Sequence, residues 1–154
     1  MNDDFFLPIA IRLDDAAVLV VGGGEIATHK FRLLVSRAAR ITVLAPTVTD
    51  TIAEHVDQSR VIWVRSEATD AMLTAHVPNK RIIFAATDDA RTNRRVTAAA
   101  RARNIPVCAV DDPAPSTFIT PAIIDRRPVQ IAITTGGAAP VLARRLRLAL
   151  DTLL

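Results

Sequence analysis

Val18-Leu19-Val20-Val21-Gly22-Gly23-Gly24-Glu25-Ile26-Ala27 decides the fold: a run of buried-strand residues stops at three glycines, and helical spacing begins directly after them. The stretch contains Gly-x-Gly-x-x-Ala in the strand-turn-helix setting of a dinucleotide-binding loop. Gly22 permits the tight turn, Gly24 lets a pyrophosphate approach the backbone, and Ala27 allows close helix packing. The helix start then offers N–H donors to an anion. The alternative is that Gly22, Gly23 and Gly24 make only a tight turn. A kinase-type phosphate loop is disfavoured, because Gly-Lys-Ser/Thr is absent. The acidic reader of the ribose hydroxyls, expected about 20 residues on, is missing. Leu44-Ala45-Pro46-Thr47 stands in its place, and no Arg follows closely enough to favour a 2′-phosphate, so NAD is preferred to NADP.

Outward from this stretch, short apolar runs alternate with helical spacing, as in βαβ units. Strands are predicted at 17–21, 40–44, 61–64, 81–85 and 106–110. Helices are predicted at 25–36, 47–57, 70–76 and 88–103. Right-handed crossovers make these a Rossmann-type, doubly wound parallel sheet, and an NAD-binding domain is expected over 1–113. Past Pro113 and Pro115 the pattern changes. Residues 117–124 and 129–134 read as an antiparallel pair joined by Asp125-Arg126-Arg127-Pro128, and Pro140 suits the first position of a last helix. On that helix Leu142, Leu146, Ala149, Leu150 and Leu153 share one face. A hairpin and a helix make a poor core alone, so 114–154 is read as a small β-rich dimerisation segment with a terminal helix. Packing on its own sheet is the alternative.

Composition narrows the function classes. Half of the 154 residues are apolar and 4% are aromatic, which excludes a disordered chain and argues against recognition of stacked bases. The net charge is +3, and of 19 basic residues only Lys30 and Lys80 are lysines, which suits anionic small molecules as well as nucleic acid. The arginines of 91–103 are interleaved with Ala and Val as on a solvated helix face, so no nucleic-acid role is assigned. One cysteine, Cys108, lies in an apolar run and reads as a buried thiol. No secretion signal or membrane span is expected, and the reading is cytoplasmic. His29, His55 and His76 are isolated, so no metal site is assigned.

The carboxyl ends of parallel strands share one edge, where ligands bind. Thr87-Asp88-Asp89 and Asp111-Asp112 should therefore converge on the glycine loop. For Thr87, Asp88 and Asp89 helix capping competes with ligand contact. Asp111 precedes Pro113 and Pro115, with no helix to cap, and a carboxylate at a nucleotide crevice can serve as a general base. Asp112 competes with it, and a polar turn is the alternative for both.

Several stretches together resemble the siroheme synthase N-terminal family, whose members are precorrin-2 dehydrogenases and, in several cases, also sirohydrochlorin ferrochelatases. They are Leu7-Pro8-Ile9, Val20-Val21-Gly22-Gly23-Gly24, Ala85-Ala86-Thr87-Asp88-Asp89, Asn93-Arg94-Arg95-Val96, Val110-Asp111, Phe118-Ile119-Thr120-Pro121-Ala122-Ile123-Ile124-Asp125-Arg126, and Gly136-Gly137 with Pro140-Val141-Leu142-Ala143-Arg144. The resemblance implies NAD-dependent oxidation of precorrin-2 to sirohydrochlorin, with Asp111 as general acid/base. It implies dinucleotide contacts at Glu25, Ile26, Pro46 and Thr47, and a homodimer formed through about 114–143. The carboxylate-rich tetrapyrrole offers a use for Arg126, Arg127, Arg144 and Arg145. Thr134-Thr135 stands where the family often has Ser-Ser, and Thr135 still offers a hydroxyl to the substrate. Longer relatives continue past the position of Leu154 into a helical region that helps enclose the tetrapyrrole, which weakens the expectation of metal insertion more than that of NAD binding. The alternatives are a bifunctional dehydrogenase and ferrochelatase, or a non-catalytic NAD-sensing module.

Overall fold

A computed structural model describes residues 6–56, 60–110 and 114–153. They form two compact units, one of residues 11–117 and one of residues 6–10 with 118–153.

The larger unit is built on five parallel strands, β1 (Ala17–Val21), β2 (Arg40–Leu44), β3 (Val61–Val64), β4 (Ile82–Ala85) and β5 (Val107–Ala109), in the order β3-β2-β1-β4-β5. The order reverses direction at β1, and β1 is in register with Arg40–Leu44 on one side and Ile82–Ala85 on the other. Because successive side chains of a strand point to opposite faces, Leu19, Val21, Ile83, Ala85, Val107 and Ala109 join one buried cluster. Leu73 of α3 (Asp70–His76) and Val96 and Ala100 of α4 (Ala90–Arg101) complete it. The other face carries Val20 and its register partner Phe84, and α1 (Glu25–Leu34) covers it, with Ala27, Phe31 and Leu34 buried.

The limits of the five parallel strands follow the apolar runs closely. The strand expected at 117–124 is instead found at Ala122–Arg126, because Thr117 is bonded to Val107 and because Asp125 and Arg126 pair with Gln130 and Val129. One helix also departs from its spacing. Helical periodicity predicted 47–57, but α2 is only Asp50–Ala53. Thr49 is extended at the N-cap, and its N–H donates to the Gly23 carbonyl at 3.0 Å while its hydroxyl donates to Thr28 Oγ1 at 2.7 Å. Those contacts hold Thr49 extended against the glycine loop, a tertiary demand that overrides local propensity. At the far edge, Ser116 and Thr117 satisfy the outer side of β5. Thr117 Oγ1 accepts from Val107 N–H and Ser116 Oγ from Ala109 N–H, each at 2.8 Å.

Cys108 is buried, as expected. Nearby, Lys30 lies with Nζ 5.7 Å from the Phe84 ring centroid. Burial holds its pKa below the ordinary lysine value, an effect that Cys108 partly opposes. The folded state therefore carries a penalty on the lysine charge that is full below the folded pKa and disappears above the unfolded one. Lys30→Met is expected to raise the melting temperature at neutral pH. Its advantage over wild type should shrink as pH climbs through the lysine range, and a pH series of thermal melts checks both signs.

In the smaller unit β6 (Ala122–Arg126) and β7 (Val129–Ile133) pair antiparallel, Ala122 opposite Ile133, and α5 spans Pro140–Asp151 with Pro140 in its first turn. Ile124 and Ala143 are its buried residues. Among the described residues, the predicted apolar face of α5 is largely exposed: Leu142 is 50% exposed, Leu146 43% and Leu153 79%. No helix among the described residues is long and apolar enough to cross a membrane.

Candidate cofactor cleft

Above the carboxyl ends of β1, β2 and β4 lies a cleft of about 570 Å³, within the usual range for small-molecule sites, ~300–1,000 Å³. Its floor is Gly22–Ile26, one wall is Leu44–Thr47 with Glu67 and Ala68, and the other is Ala86–Asp89 with Thr92. The structure thus brings together Gly22, Gly23, Gly24, Glu25, Ile26, Pro46, Thr47, Thr87 and Asp88, the nine residues expected to hold a dinucleotide.

The floor is shaped by what glycine lacks. Gly22 sits at φ +122°, and a Cβ there would lie 2.3 Å from the Ala86 carbonyl oxygen. A Cβ on Gly23 would lie 1.9 Å from the Thr47 carbonyl oxygen, so β1's turn is wedged between the two walls. Gly24 differs: nothing lies within 4 Å of its missing Cβ, and no side chain caps the helix it begins. The first N–H groups of α1 are left to an incoming ligand, and the helix dipole favours an anion there. A pyrophosphate fits this cradle.

Side chains behind the walls hold their shape. Thr28 Oγ1 donates to the Gly24 carbonyl at 3.0 Å, and Trp63 Nε1 donates to the Ala45 carbonyl at 2.9 Å. On the opposite wall Asp89 caps α4, accepting from the N–H groups of Arg91 and Thr92. The Thr92 side chain first, then the Thr92 and Arg91 backbone, hold its carboxyl below the ordinary aspartate range. Capping therefore accounts for Asp89, whereas Asp88 borders the cleft. A smaller cavity of about 210 Å³ adjoins on the β5 side, bordered by Thr87, Asp88, Asn93, Arg94, Ala109 and Pro115.

Asp111 and Asp112 lie outside the described residues. Arg126, Thr135 and Arg144 belong to the smaller unit. There Arg126 pairs with Asp151 at 2.8 Å, Thr135 Oγ1 accepts from the Ala139 N–H at 3.1 Å, and Arg144 is exposed. His55 has a packing role, its Nδ1 donating to the Thr51 carbonyl at 2.8 Å and its ring edge-on to Phe31.

Glu67, Ala68 and Thr92 were not foreseen at the cleft, because they reach it from the connection after β3 and from α4 through the sheet order. Asn93 was also passed over as a site residue. Its signal was readable, since it falls at helical spacing with Val96, Thr97 and Ala100 as a polar residue on a buried stripe.

Comparison with known proteins agrees with this geometry. The family model described as "Putative NAD(P)-binding" matches residues 9–122, and "Sirohaem biosynthesis protein central" matches residues 126–148. The siroheme synthase of Gluconacetobacter diazotrophicus is 57% identical over 146 residues, 95% of this chain and 31% of the relative. That of Gluconobacter oxydans is 53% identical over 99% of this chain and 32% of its own length. The chain thus spans about a third of the curated relatives it matches. The solved structure of SirC, precorrin-2 dehydrogenase, superposes with a TM-score of 0.79 at 29% identity, covering 97% of this chain and 71% of that one. An NAD(P)-binding model over most of the sheet, followed by the siroheme-specific one over the hairpin and α5, places the chain in the siroheme synthase N-terminal domain family.

Proposed function

We propose that the chain is an NAD-dependent precorrin-2 dehydrogenase that forms sirohydrochlorin in siroheme biosynthesis. The observation that carries this reading is the uncapped start of α1 over a glycine floor, open at Gly24 and closed at Gly22 and Gly23. The side chains on the walls favour NAD over NADP. Among the described residues Glu25, Glu67, Asp88 and Asp89 border the cleft and no Lys or Arg does, so a 2′-phosphate would meet carboxylates there.

Bound NAD supplies a hydride acceptor. The chain's own part is to orient the dinucleotide through the backbone of 22–26, to hold it between 44–47 and 86–88, and to take up a proton. Oxidation of the reduced tetrapyrrole removes a hydride and a proton. Asp111 is assigned to receive the proton on its carboxylate and to release it to solvent afterwards. Arg144 and the Thr135 hydroxyl are assigned to the substrate's carboxylates, and Arg126 joins them only by leaving Asp151. A second copy of the chain is the partner assigned to the exposed leucines of α5.

Anaerobic incubation with precorrin-2 and NAD tests the reading. Stoichiometric NADH and the sirohydrochlorin spectrum are expected, each dependent on enzyme. NAD binding without any oxidation of precorrin-2 would leave a sensing module in its place.

A further inference from the structure

Asn93 is 5% exposed on the buried stripe of α4, and its side-chain amide is spent on one residue. Asn93 Oδ1 accepts from the Thr87 N–H at 3.1 Å and from the Thr87 hydroxyl at 2.7 Å, while Nδ2 donates to the Thr87 carbonyl at 2.9 Å. The helix start does not need this bond set, because Asp89 already receives the N–H groups of Arg91 and Thr92. The three bonds instead fix the residue that follows β4, and Thr87 and Asp88 border both the main cleft and the smaller cavity toward β5.

A dinucleotide with its pyrophosphate on the start of α1 has two directions to run. One end goes along Leu44–Thr47, beside β2, and the other passes Thr87 and Asp88 toward β5, the strand that leads in sequence to Asp111. We infer that Asn93 is a positioning residue for the nicotinamide end of the cofactor: it clamps Thr87 and Asp88 as the wall against which that end rests. The glycine floor holds the adenosine diphosphate end independently. The inference rests on the NAD reading of the cleft.

Without the clamp, the Thr87 N–H and carbonyl lose their partner at once and its hydroxyl keeps only the Asp89 backbone, so the loop after β4 must rearrange to find others. The consequence is selective. ADP-ribose, which lacks nicotinamide, should not feel it, whereas NADH should.

Calorimetric titration of the whole chain with NADH and with ADP-ribose tests this. Wild type should bind NADH more tightly than ADP-ribose. In Asn93→Ala, NADH affinity should fall by roughly tenfold while ADP-ribose affinity stays within about twofold, and bound NADH should fluoresce like the free coenzyme. Asn93→Asp keeps an acceptor for the Thr87 N–H and hydroxyl but loses the donor, so it should fall between. If Asn93→Ala does not fold, Thr87→Val carries the same comparison: it removes the hydroxyl's bond to Asn93 together with its two bonds to the Asp89 backbone, keeps the two backbone bonds to Asn93, and should weaken NADH selectively. A parallel loss of both ligands, or no change in either, would overturn the clamp's role and leave the cofactor reading standing. Failure of wild type to bind either ligand would overturn both.

Discussion

On the proposed function, Asp111→Asn is expected to cut oxidation of precorrin-2 severely while leaving NAD binding nearly intact. An amide has the shape of the carboxylate but no lone pair basic enough to take a proton at neutral pH, so the variant separates binding from chemistry. A positioned general base contributes about 10²–10⁴-fold to rate, and turnover should drop by that order. Dissociation constants for NAD should stay close to wild type, because the glycine floor and the start of α1 form the pyrophosphate site. Stopped-flow NADH formation in parallel with calorimetry checks both halves. Turnover by the asparagine variant at the wild-type rate would assign the proton to another group, with Asp112 the first to examine.

Gly23→Ala should nearly eliminate NAD binding and lower the melting temperature as well. The new methyl would sit 1.9 Å from the Thr47 carbonyl oxygen and 2.9 Å from its carbon, so backbone, not a flexible side chain, must yield. Overpacking of this kind costs about 1–3 kcal/mol in fold stability and sometimes more. Relief requires the 47–49 stretch to lift away, which breaks the bond from the Thr49 N–H to the Gly23 carbonyl and opens the wall that carries Pro46 and Thr47. Gly24→Ala is the informative contrast. Nothing lies within 4 Å of that position, so the fold should tolerate the methyl while the space for a pyrophosphate narrows. Thermal melts and NAD titrations of the pair should therefore diverge: both quantities fall in Gly23→Ala, and only affinity falls in Gly24→Ala. Equal melting temperatures for the two would contradict the wedged turn.

The βαβ framework was legible because its determinants are local. Val18–Val21, Ile41–Leu44 and Val61–Val64 are short runs, apolar but for Thr42, between helical stretches, and β1, β2 and β3 stop with them and start within one residue of them. The glycine loop was legible for the same reason, since its three residues adjoin one another on the chain. Length of α2 was not. Propensity favoured a helix from 47, yet Thr49 is held extended by Gly23 and Thr28, more than twenty residues earlier in sequence.

Periodicity along the chain, read with turn and cap chemistry, settled which segments are strands and helices, and it marked Gly22–Gly24 as a place for an anion, because hydrophobic spacing and backbone freedom are properties of neighbours in sequence. Only tertiary packing decided that Glu67 and Thr92 face the same cleft and that Asn93 closes on Thr87. It also decided that Leu142, Leu146 and Leu153 of α5 stay exposed among the described residues. Those outcomes depend on the order in which strands lie side by side and on which of two faces each helix covers, and a linear pattern carries neither.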